Sequence, residues 1–192
     1  MPLGPGPKTL KAGATVPGPG IYQQGRKLIV KGYGQYGNVV NVVDVSGGMY
    51  NVTLAPTTED GSFVVVPDII WPNMTYTISH SVYVRASAVD SLYCDVSDGF
   101  ASTVMNLTKA LPCTVLGSDG NDFILGGGGA DCLVGGGGDD AIGGGPGNDS
   151  IDGGAGNNVY LAGLGNDTIV MNANDVLIDK TADDTVVRRD QQ

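Results

Sequence analysis

Acidic residues or their amides recur at every ninth position between residues 117 and 170. The chain there consists of six nine-residue segments without an insertion: GSDGNDFIL, GGGGADCLV, GGGGDDAIG, GGPGNDSID, GGAGNNVYL and AGLGNDTIV. Each segment has glycine at the fourth place, Asp or Asn at the sixth and a bulky apolar residue at the eighth. Carboxylate and amide oxygens are the ligands that hard cations such as calcium take in proteins. The chemistry that this spacing offers is therefore repeated cation binding.

Two kinds of local structure must alternate to position these side chains. In each segment, six residues rich in glycine can adopt the positive φ angles of a tight turn, and the remaining three suffice for a short strand. Over residues 117–170 the pattern resembles the RTX (hemolysin-type) calcium-binding nonapeptide repeat family. The resemblance implies a parallel β-roll in which two nonapeptides, eighteen residues, form one coil and the turns stack on two opposite flanks.

The same resemblance places the sixth-place side chains in two columns. The first column contains Asp122, Asp140 and Asn158, and the second column contains Asp131, Asp149 and Asp167. Carboxylates one strand spacing apart, about 4.8 Å, repel one another unless a cation lies between them. Calcium fits, because it takes six to eight oxygens at about 2.3–2.6 Å and glycine turns add backbone carbonyls. The predicted calcium-binding turns also contain Asp119, Gly126, Gly128, Gly135, Gly137, Gly144 and Gly153.

The number of gaps in the columns sets the expected number of ions. Three turns in a column leave two gaps, which predicts up to four calcium ions in the roll. The gap between Asp140 and Asn158 is expected to bind most weakly, because an amide brings an oxygen without a charge.

A flexible glycine-rich linker would have the same composition as this segment. The eighth place argues against a linker, because it regularly holds a core-type residue: Ile124, Leu133, Ile142, Ile151, Tyr160 and Ile169. Without calcium, however, so acidic and weakly apolar a segment is expected to be unfolded.

The first 116 residues follow a different pattern. Residues 1–20 are rich in Pro and Gly and are predicted to form an extended arm. Residues 21–116 contain short runs of alternating apolar and polar residues, which predict an antiparallel β-sandwich. Residues of about 35–110, above all the runs GSFVVV, PDIIWPN and TYTIS, resemble bacterial Ig-like or fibronectin-like domains, with another all-β domain as the alternative. The predicted fold class is all-β, a sandwich followed by a parallel β-roll.

The roll has two outer faces, and the seventh and ninth places distinguish them. One face is apolar throughout: Phe123, Leu125, Ala141, Gly143, Val159 and Leu161. We call it the apolar face, and we expect it to dock on the sandwich or on a neighbouring subunit.

Residues 171–192 lose the glycines but keep apolar spacing, which predicts a cap over the open end of the coil and a tail.

The composition argues against an enzyme. His80 is the one histidine, and the chain contains neither a GxSxG nor an HExxH motif, so the usual serine triad and zinc protease sites cannot be assembled. Of three cysteines, Cys94 and Cys113 could pair across the sandwich and Cys132 points outward, with free thiols as the default.

The charge argues against a nucleic-acid partner. The net charge is −10, and no Lys or Arg occurs between Lys109 and Lys180, so phosphate backbones would be repelled. A small basic group near the amino terminus, Lys8, Lys11, Arg26, Lys27 and Lys31, is more typical of a solvated face than of a binding patch. Membrane insertion is not expected either.

The calcium sites also indicate where the chain folds. Sites of extracellular modules have dissociation constants on the order of 10⁻⁴–10⁻³ M, so they fill outside the cytoplasm. The residues before the first strand lack the apolar run of a Sec-type signal peptide, so we expect type I secretion or release by lysis with a virus particle.

Two functions follow as hypotheses. The first is a non-enzymatic, calcium-stabilised structural protein, a virion decoration or cell-surface component that assembles with a protein partner or with itself. The alternative is a secreted adhesin or carbohydrate-binding module. A surface glycan would then stack on aromatic side chains, for which Tyr33, Tyr36, Tyr50 and Trp71 are the candidates.

Overall fold

The computed structural model describes residues 7–32, 37–46, 49–57, 80–85, 91–97, 104–108 and 111–189. Its strands form two sheets around one hydrophobic core. Sheet 1 contains, in spatial order, β1 (Lys8–Leu10), β2 (Gly20–Gln24), β3 (Lys27–Lys31), β7 (Ser91–Asp95), β9 (Cys113–Leu116), β11 (Cys132–Gly136), β13 (Ser150–Gly154), β15 (Thr168–Met171) and β17 (Thr185–Arg188). Sheet 2 contains β16 (Val176–Leu177), β14 (Val159–Leu164), β12 (Ala141–Pro146), β10 (Phe123–Leu125), β8 (Val104–Thr108), β4 (Gly37–Ser46), β5 (Met49–Thr57) and β6 (His80–Arg85).

The repeat segment forms the predicted parallel β-roll. Consecutive repeats contribute strands to opposite sheets, and each strand pairs in parallel with the strand one coil later. Phe123 lies opposite Ala141 in sheet 2, and Cys132 lies opposite Ser150 in sheet 1. Because both pairs are eighteen residues apart in the chain, one coil consists of two nonapeptides.

The eighth-place side chains fill the space between the two sheets. Each of them is buried, at most 2 % exposed: Ile124, Leu133, Ile142, Ile151, Tyr160 and Ile169. Burial of one such aliphatic side chain stabilises the fold by about 1.5–3 kcal/mol. The same core continues without a break into Val115, Met105 and Cys94 before the repeats.

The structure does not show the antiparallel Ig-like sandwich expected for residues 21–116. The described strands of this region extend the two sheets of the roll, mostly in parallel. In sheet 1, β3, β7 and β9 are parallel neighbours, and in sheet 2 β4, β8 and β10 are. Antiparallel pairing occurs between β2 and β3 and within the β4–β5–β6 meander.

Irregular coil length explains why the sequence pattern did not reveal this arrangement. Cys94 lies opposite Val115, an offset of 21 residues, and Met105 lies opposite Ile124, an offset of 19. Val115 still pairs with Leu133 at the regular offset of eighteen residues, so the fixed period is lost on the amino-terminal side of β9. Alternation of apolar and polar residues indicates a half-buried strand, but it does not distinguish parallel from antiparallel neighbours.

Several sequence predictions fall outside the described residues. Residues 1–6 of the predicted arm are among them, whereas Lys8–Leu10 form the edge strand β1, paired in parallel with β2. Most of the stretch on which the Ig-like resemblance depends, residues 60–79, also lies outside. The same holds for Tyr33, Tyr36 and Trp71, the aromatic candidates for a glycan site.

Residues after the last repeat add one further coil. Strand β16 pairs with β14, and β17 pairs with β15, both in parallel. Leu177 and Val186 are partly buried against the last core residues of the roll. This coil extends both sheets by one strand each.

The apolar face of sheet 2 is exposed in the structure. Phe123 is 45 % exposed, Val159 is 38 % exposed and Leu161 is 47 % exposed. Val176 and Ile178 extend this exposed apolar surface toward the carboxyl end. Within the part of the chain that the structure describes, the face is therefore not covered by amino-terminal strands.

All three cysteines are free thiols, the default expected from sequence. Cys94 and Cys113 are buried on the neighbouring strands β7 and β9, and Cys132 is exposed on the outside of β11.

The described segments contain no helix with the length and apolar character needed to cross a bilayer.

Candidate metal centre

The sixth-place residues lie in the two predicted columns, and hydrogen bonds to the backbone hold them there. In the first column, Oδ1 of Asp140 accepts a 2.8 Å hydrogen bond from the backbone N of Asp122, and Oδ1 of Asn158 accepts one of 2.9 Å from Asp140. In the second column, Oδ1 of Asp149 accepts from Asp131 at 2.9 Å, and Oδ1 of Asp167 accepts from Asp149 at 2.8 Å. In each of these four acceptors, one side-chain oxygen thus ties its coil to the coil before it.

The other carboxylate oxygen of four residues has no hydrogen-bond partner. These atoms, which we call the unpaired oxygens, are Oδ2 of Asp131, Asp140, Asp149 and Asp167. Each of these residues is at most 3 % exposed. A buried, unpaired carboxylate oxygen costs several kcal/mol or more unless a cation or a donor compensates it. Their burial therefore indicates a cationic partner.

Backbone carbonyls face the same spaces as the unpaired oxygens. A Cβ added to Gly126, at the first place, would lie 2.5 Å from Oδ2 of Asp131 and 2.9 Å from the carbonyl of Gly144 in the next coil. At Gly135 it would meet Oδ2 of Asp140 and lie 2.6 Å from the carbonyl of Gly153. Glycine at the first place thus keeps open a space lined by oxygen atoms.

These donors fit calcium. The nearest atoms at Gly126, Gly135 and Gly144 are carboxylate and carbonyl oxygens, and calcium accepts both kinds of oxygen in a flexible shell. Within the described residues, no group of three His, Cys, Asp or Glu side chains is placed to hold one metal ion together. A calcium ion would therefore take one or two carboxylates and complete its shell with backbone carbonyls and water.

The remaining predicted site residues have different positions. Gly144 and Gly153 are buried first-place glycines. Gly128 and Gly137 are third-place residues and are only partly buried. Asp119, also at a third place, is exposed and lies outside both columns.

Three further polar residues, which the nonapeptide pattern does not predict, extend the columns. Oδ1 of Asp175 accepts from the backbone N of Asn158 at 2.8 Å, and Oδ1 of Asp184 accepts from Asp167 at 3.2 Å. At the other end, Ser118 donates from its backbone N to Oδ2 of Asp122 at 2.7 Å. The Ser118 hydroxyl donates to Oδ1 of Asp122 at 2.8 Å, so both carboxylate oxygens of that residue have a partner.

The sequence does contain a signal for Asp175 and Asp184. Each stands two places before an apolar residue, Leu177 or Val186, as the sixth-place acids do. The glycines are gone there and the step from Asn158 is seventeen residues instead of eighteen, so the nonapeptide period no longer reveals them.

Burial and mutual repulsion raise the carboxyl pKa values in the columns. Burial is the largest cause for Asp140, whose pKa rises to about 7, and the charges of Asp122, Asp139 and Asp175 add to it. The pKa of Asp149 rises to about 6, first through burial and then through the charges of its column neighbours. Burial also raises the pKa values of Asp131 and Asp167. When no cation is bound, burial and mutual repulsion thus disfavour ionisation of the carboxyl groups in the columns.

These shifts predict a pH dependence. A carboxyl whose folded pKa exceeds the ordinary value of about 3.9 binds protons more tightly in the folded state, so acid favours the folded, calcium-free roll. This gain begins as the pH falls through about 7 for Asp140 and about 6 for Asp149. Protons bind the same oxygens as calcium and also stabilise the folded roll, so the calcium concentration at the midpoint of folding should fall as the pH falls over that range, although the folded roll then binds each ion less tightly. Circular dichroism during calcium titrations at a series of pH values, in calcium-depleted buffer, measures it; a midpoint independent of pH would contradict it.

The geometry defines a class of protein, a parallel β-roll with cation-binding glycine turns. Residues 114–142 and 142–169 match the family model of the RTX calcium-binding nonapeptide repeat. This segment is therefore similar to that family, whose repeats bind calcium and whose proteins are typically secreted or extracellular. No curated protein and no solved structure matches the chain significantly.

Proposed function

We propose that this chain is a non-enzymatic structural protein that calcium stabilises outside the cytoplasm. The observation that carries the proposal is the set of four buried, unpaired carboxylate oxygens in the two columns. Calcium between the coils would neutralise them and link each turn to the next. Since the unfolded chain has no such site, the free energy of binding would contribute directly to folding.

The proposal that the chain is not an enzyme rests on how its polar groups are used. The carboxylates of the roll that are buried belong to the columns or to their extensions at Asp175 and Asp184. His80, the one histidine, begins β6. A general base beside a nucleophile would need a different arrangement from this ladder of backbone-bound carboxylates.

Limited proteolysis at two calcium concentrations tests the calcium proposal. At micromolar calcium, as in a cytoplasm, we expect the glycine-rich segment to be cleaved rapidly. At about 5 mM, above the 10⁻⁴–10⁻³ M range of extracellular sites, we expect residues 117–170 to resist cleavage. An unrelated folded substrate controls for activation of the protease by calcium. Equal cleavage rates of the chain at both concentrations would refute the proposal.

A protein partner or self-assembly is the second part of the proposal. The apolar face supports it, because Phe123, Val159 and Leu161 are exposed large apolar residues. Val176, which pairs with Val159, and Ile178 are exposed as well. Monomeric proteins seldom leave such surfaces uncovered. We place the chain in a virion or cell-surface assembly; the adhesin alternative depends on aromatic residues that the structure largely does not describe.

Substitutions on the apolar face test assembly. We expect Phe123→Ser with Leu161→Ser to leave the stability of the calcium-bound chain within about 1 kcal/mol, since both side chains are nearly half exposed. Sedimentation velocity in calcium should show the wild type as an oligomer, or bound to its assembly, and the double variant as a monomer. The control is Leu164→Ser, since this residue is 72 % exposed but occupies a third place, at the end of β14. Identical sedimentation of wild type and double variant would argue against assembly through this face.

A further inference from the structure

Tyr160 differs from every other eighth-place residue of the repeats, because it ends in a hydroxyl group. Its side chain is fully buried in the core, as the five aliphatic residues of that series are. A Cβ added to Gly153, the first-place glycine of the same repeat, would meet the Tyr160 hydroxyl before any other atom. At Gly126, Gly135 and Gly144 the nearest atom is instead an unpaired carboxylate oxygen. The hydroxyl, with Nδ2 of Asn158 beside it, therefore lies at the space that a first-place glycine keeps open in the other turns.

The Tyr160 hydroxyl forms hydrogen bonds both within its own repeat and to the following coil. It accepts a 3.2 Å hydrogen bond from the backbone N of Gly153 and donates one of 2.9 Å to Oδ2 of Asp175. It also lies 3.3 Å from the carbonyl of Val170, the last residue before the next coil. The hydroxyl thus joins the turn of residues 153–158 to the coil that follows it.

The charges at this position also differ from those of the other turns. Asn158 replaces the aspartate of its repeat, so only Asp175 contributes a carboxylate to the gap between the two coils. The second oxygen of Asp175 accepts hydrogen bonds from Tyr160 and, at 2.7 Å, from the backbone N of Asn172. Asp175 is accordingly absent from the set of unpaired oxygens. The gap contains one compensated charge, whereas a calcium site needs uncompensated ones.

We propose that the Tyr160 hydroxyl replaces calcium in the gap between Asn158 and Asp175, so that the first column ends in a turn closed by hydrogen bonds alone. The calcium-binding part of this flank then stops at the Asp140–Asn158 gap. The last coil is joined to the roll on this side without an ion. This inference rests on the proposed calcium binding of the other turns.

Restoring the repeat pattern tests the proposal. The double variant Asn158→Asp with Tyr160→Ile supplies the carboxylate and removes the hydroxyl, as in the repeats that contain Ile at the eighth place. Isothermal titration calorimetry with calcium, supported by equilibrium dialysis, should give one more ion per chain than the wild type. An unchanged ion count in a double variant that circular dichroism shows to be folded would overturn the proposal.

A second variant protects the test against misfolding of the first. Asp175→Asn in the wild-type background should leave the ion count unchanged, because Asp175 bonds to protein groups rather than to calcium. Loss of an ion in this variant would show that Asp175 is a calcium ligand and would overturn the proposal. If the wild type binds no calcium at all, the proposed function fails instead, and the two failures are therefore distinguishable.

Discussion

Gly145→Ala is expected to prevent the roll from folding at calcium concentrations that fold the wild type. Gly145 has a φ angle of 104°, a left-handed conformation that side chains with a Cβ rarely adopt. A Cβ at this position would also overlap the backbone carbonyl of Gly127, one coil earlier. Backbone strain and this overlap together should lower the free energy of unfolding by about 3 kcal/mol or more.

The third place of the repeat provides a matched control for this substitution. A Cβ on Gly137 would lie at ordinary contact distance, 3.4 Å, from the backbone of Asp119. Gly137→Ala should therefore change the free energy of unfolding by no more than about 1 kcal/mol. Urea denaturation in saturating calcium measures both variants. Equal stabilities of the two variants would contradict the close stacking of the turns.

Asp149→Asn should raise the calcium concentration at the midpoint of folding by about tenfold or more. Asp149 is the middle residue of the second column, so it borders the gaps toward Asp131 and Asp167. The amide retains an oxygen that can accept the hydrogen bond from Asp131, but it removes the charge beside the carbonyl of Ala162. We therefore expect the loss of at least one bound ion with little change in the calcium-free chain.

The effect of net charge has to be separated from the effect of the site. Asp183→Asn removes the same charge from an exposed residue outside the columns. It should leave both the midpoint and the ion count at wild-type values. If the two variants shift the midpoint equally, calcium acts by general screening and not through the columns.

The sequence predicted the roll because its coil length is constant. From residue 117 to residue 170 each sixth place is followed by another one nine residues later, and the two columns follow from that regularity. The packing of Ile124 against Ile142 and of Leu133 against Ile151 could be inferred from the same period.

The amino-terminal strands were not predictable in the same way. Val40 pairs with Met105 and Val30 pairs with Cys94, across more than 60 intervening residues in each case. Local alternation contains no information about such distant partners. The sequence therefore indicated strands there, but not that they continue the two sheets of the roll.

The sequence also does not reveal which carboxylate oxygens of the columns have hydrogen-bond partners, because these partners depend on the three-dimensional structure. The predicted gap between Asp122 and Asp140 is bordered by a carboxylate whose two oxygens bond to Ser118. An unpaired oxygen belongs instead to Asp167, which borders the added coil at Asp184. A serine at the second place or a tyrosine at the eighth place looks like ordinary variation in the sequence, because its effect depends on where the hydroxyl group lies.

A calcium titration followed by circular dichroism and calorimetry tests the central claim, that buried carboxylate columns hold calcium and thereby fold the roll. We predict little β structure in chelator, a reversible gain of β structure on addition of calcium, and binding of several ions per chain. Magnesium at the same concentration should not replace calcium, because it demands a smaller octahedral shell. An identical β-rich spectrum in chelator and in calcium, with no heat of binding, would contradict the account.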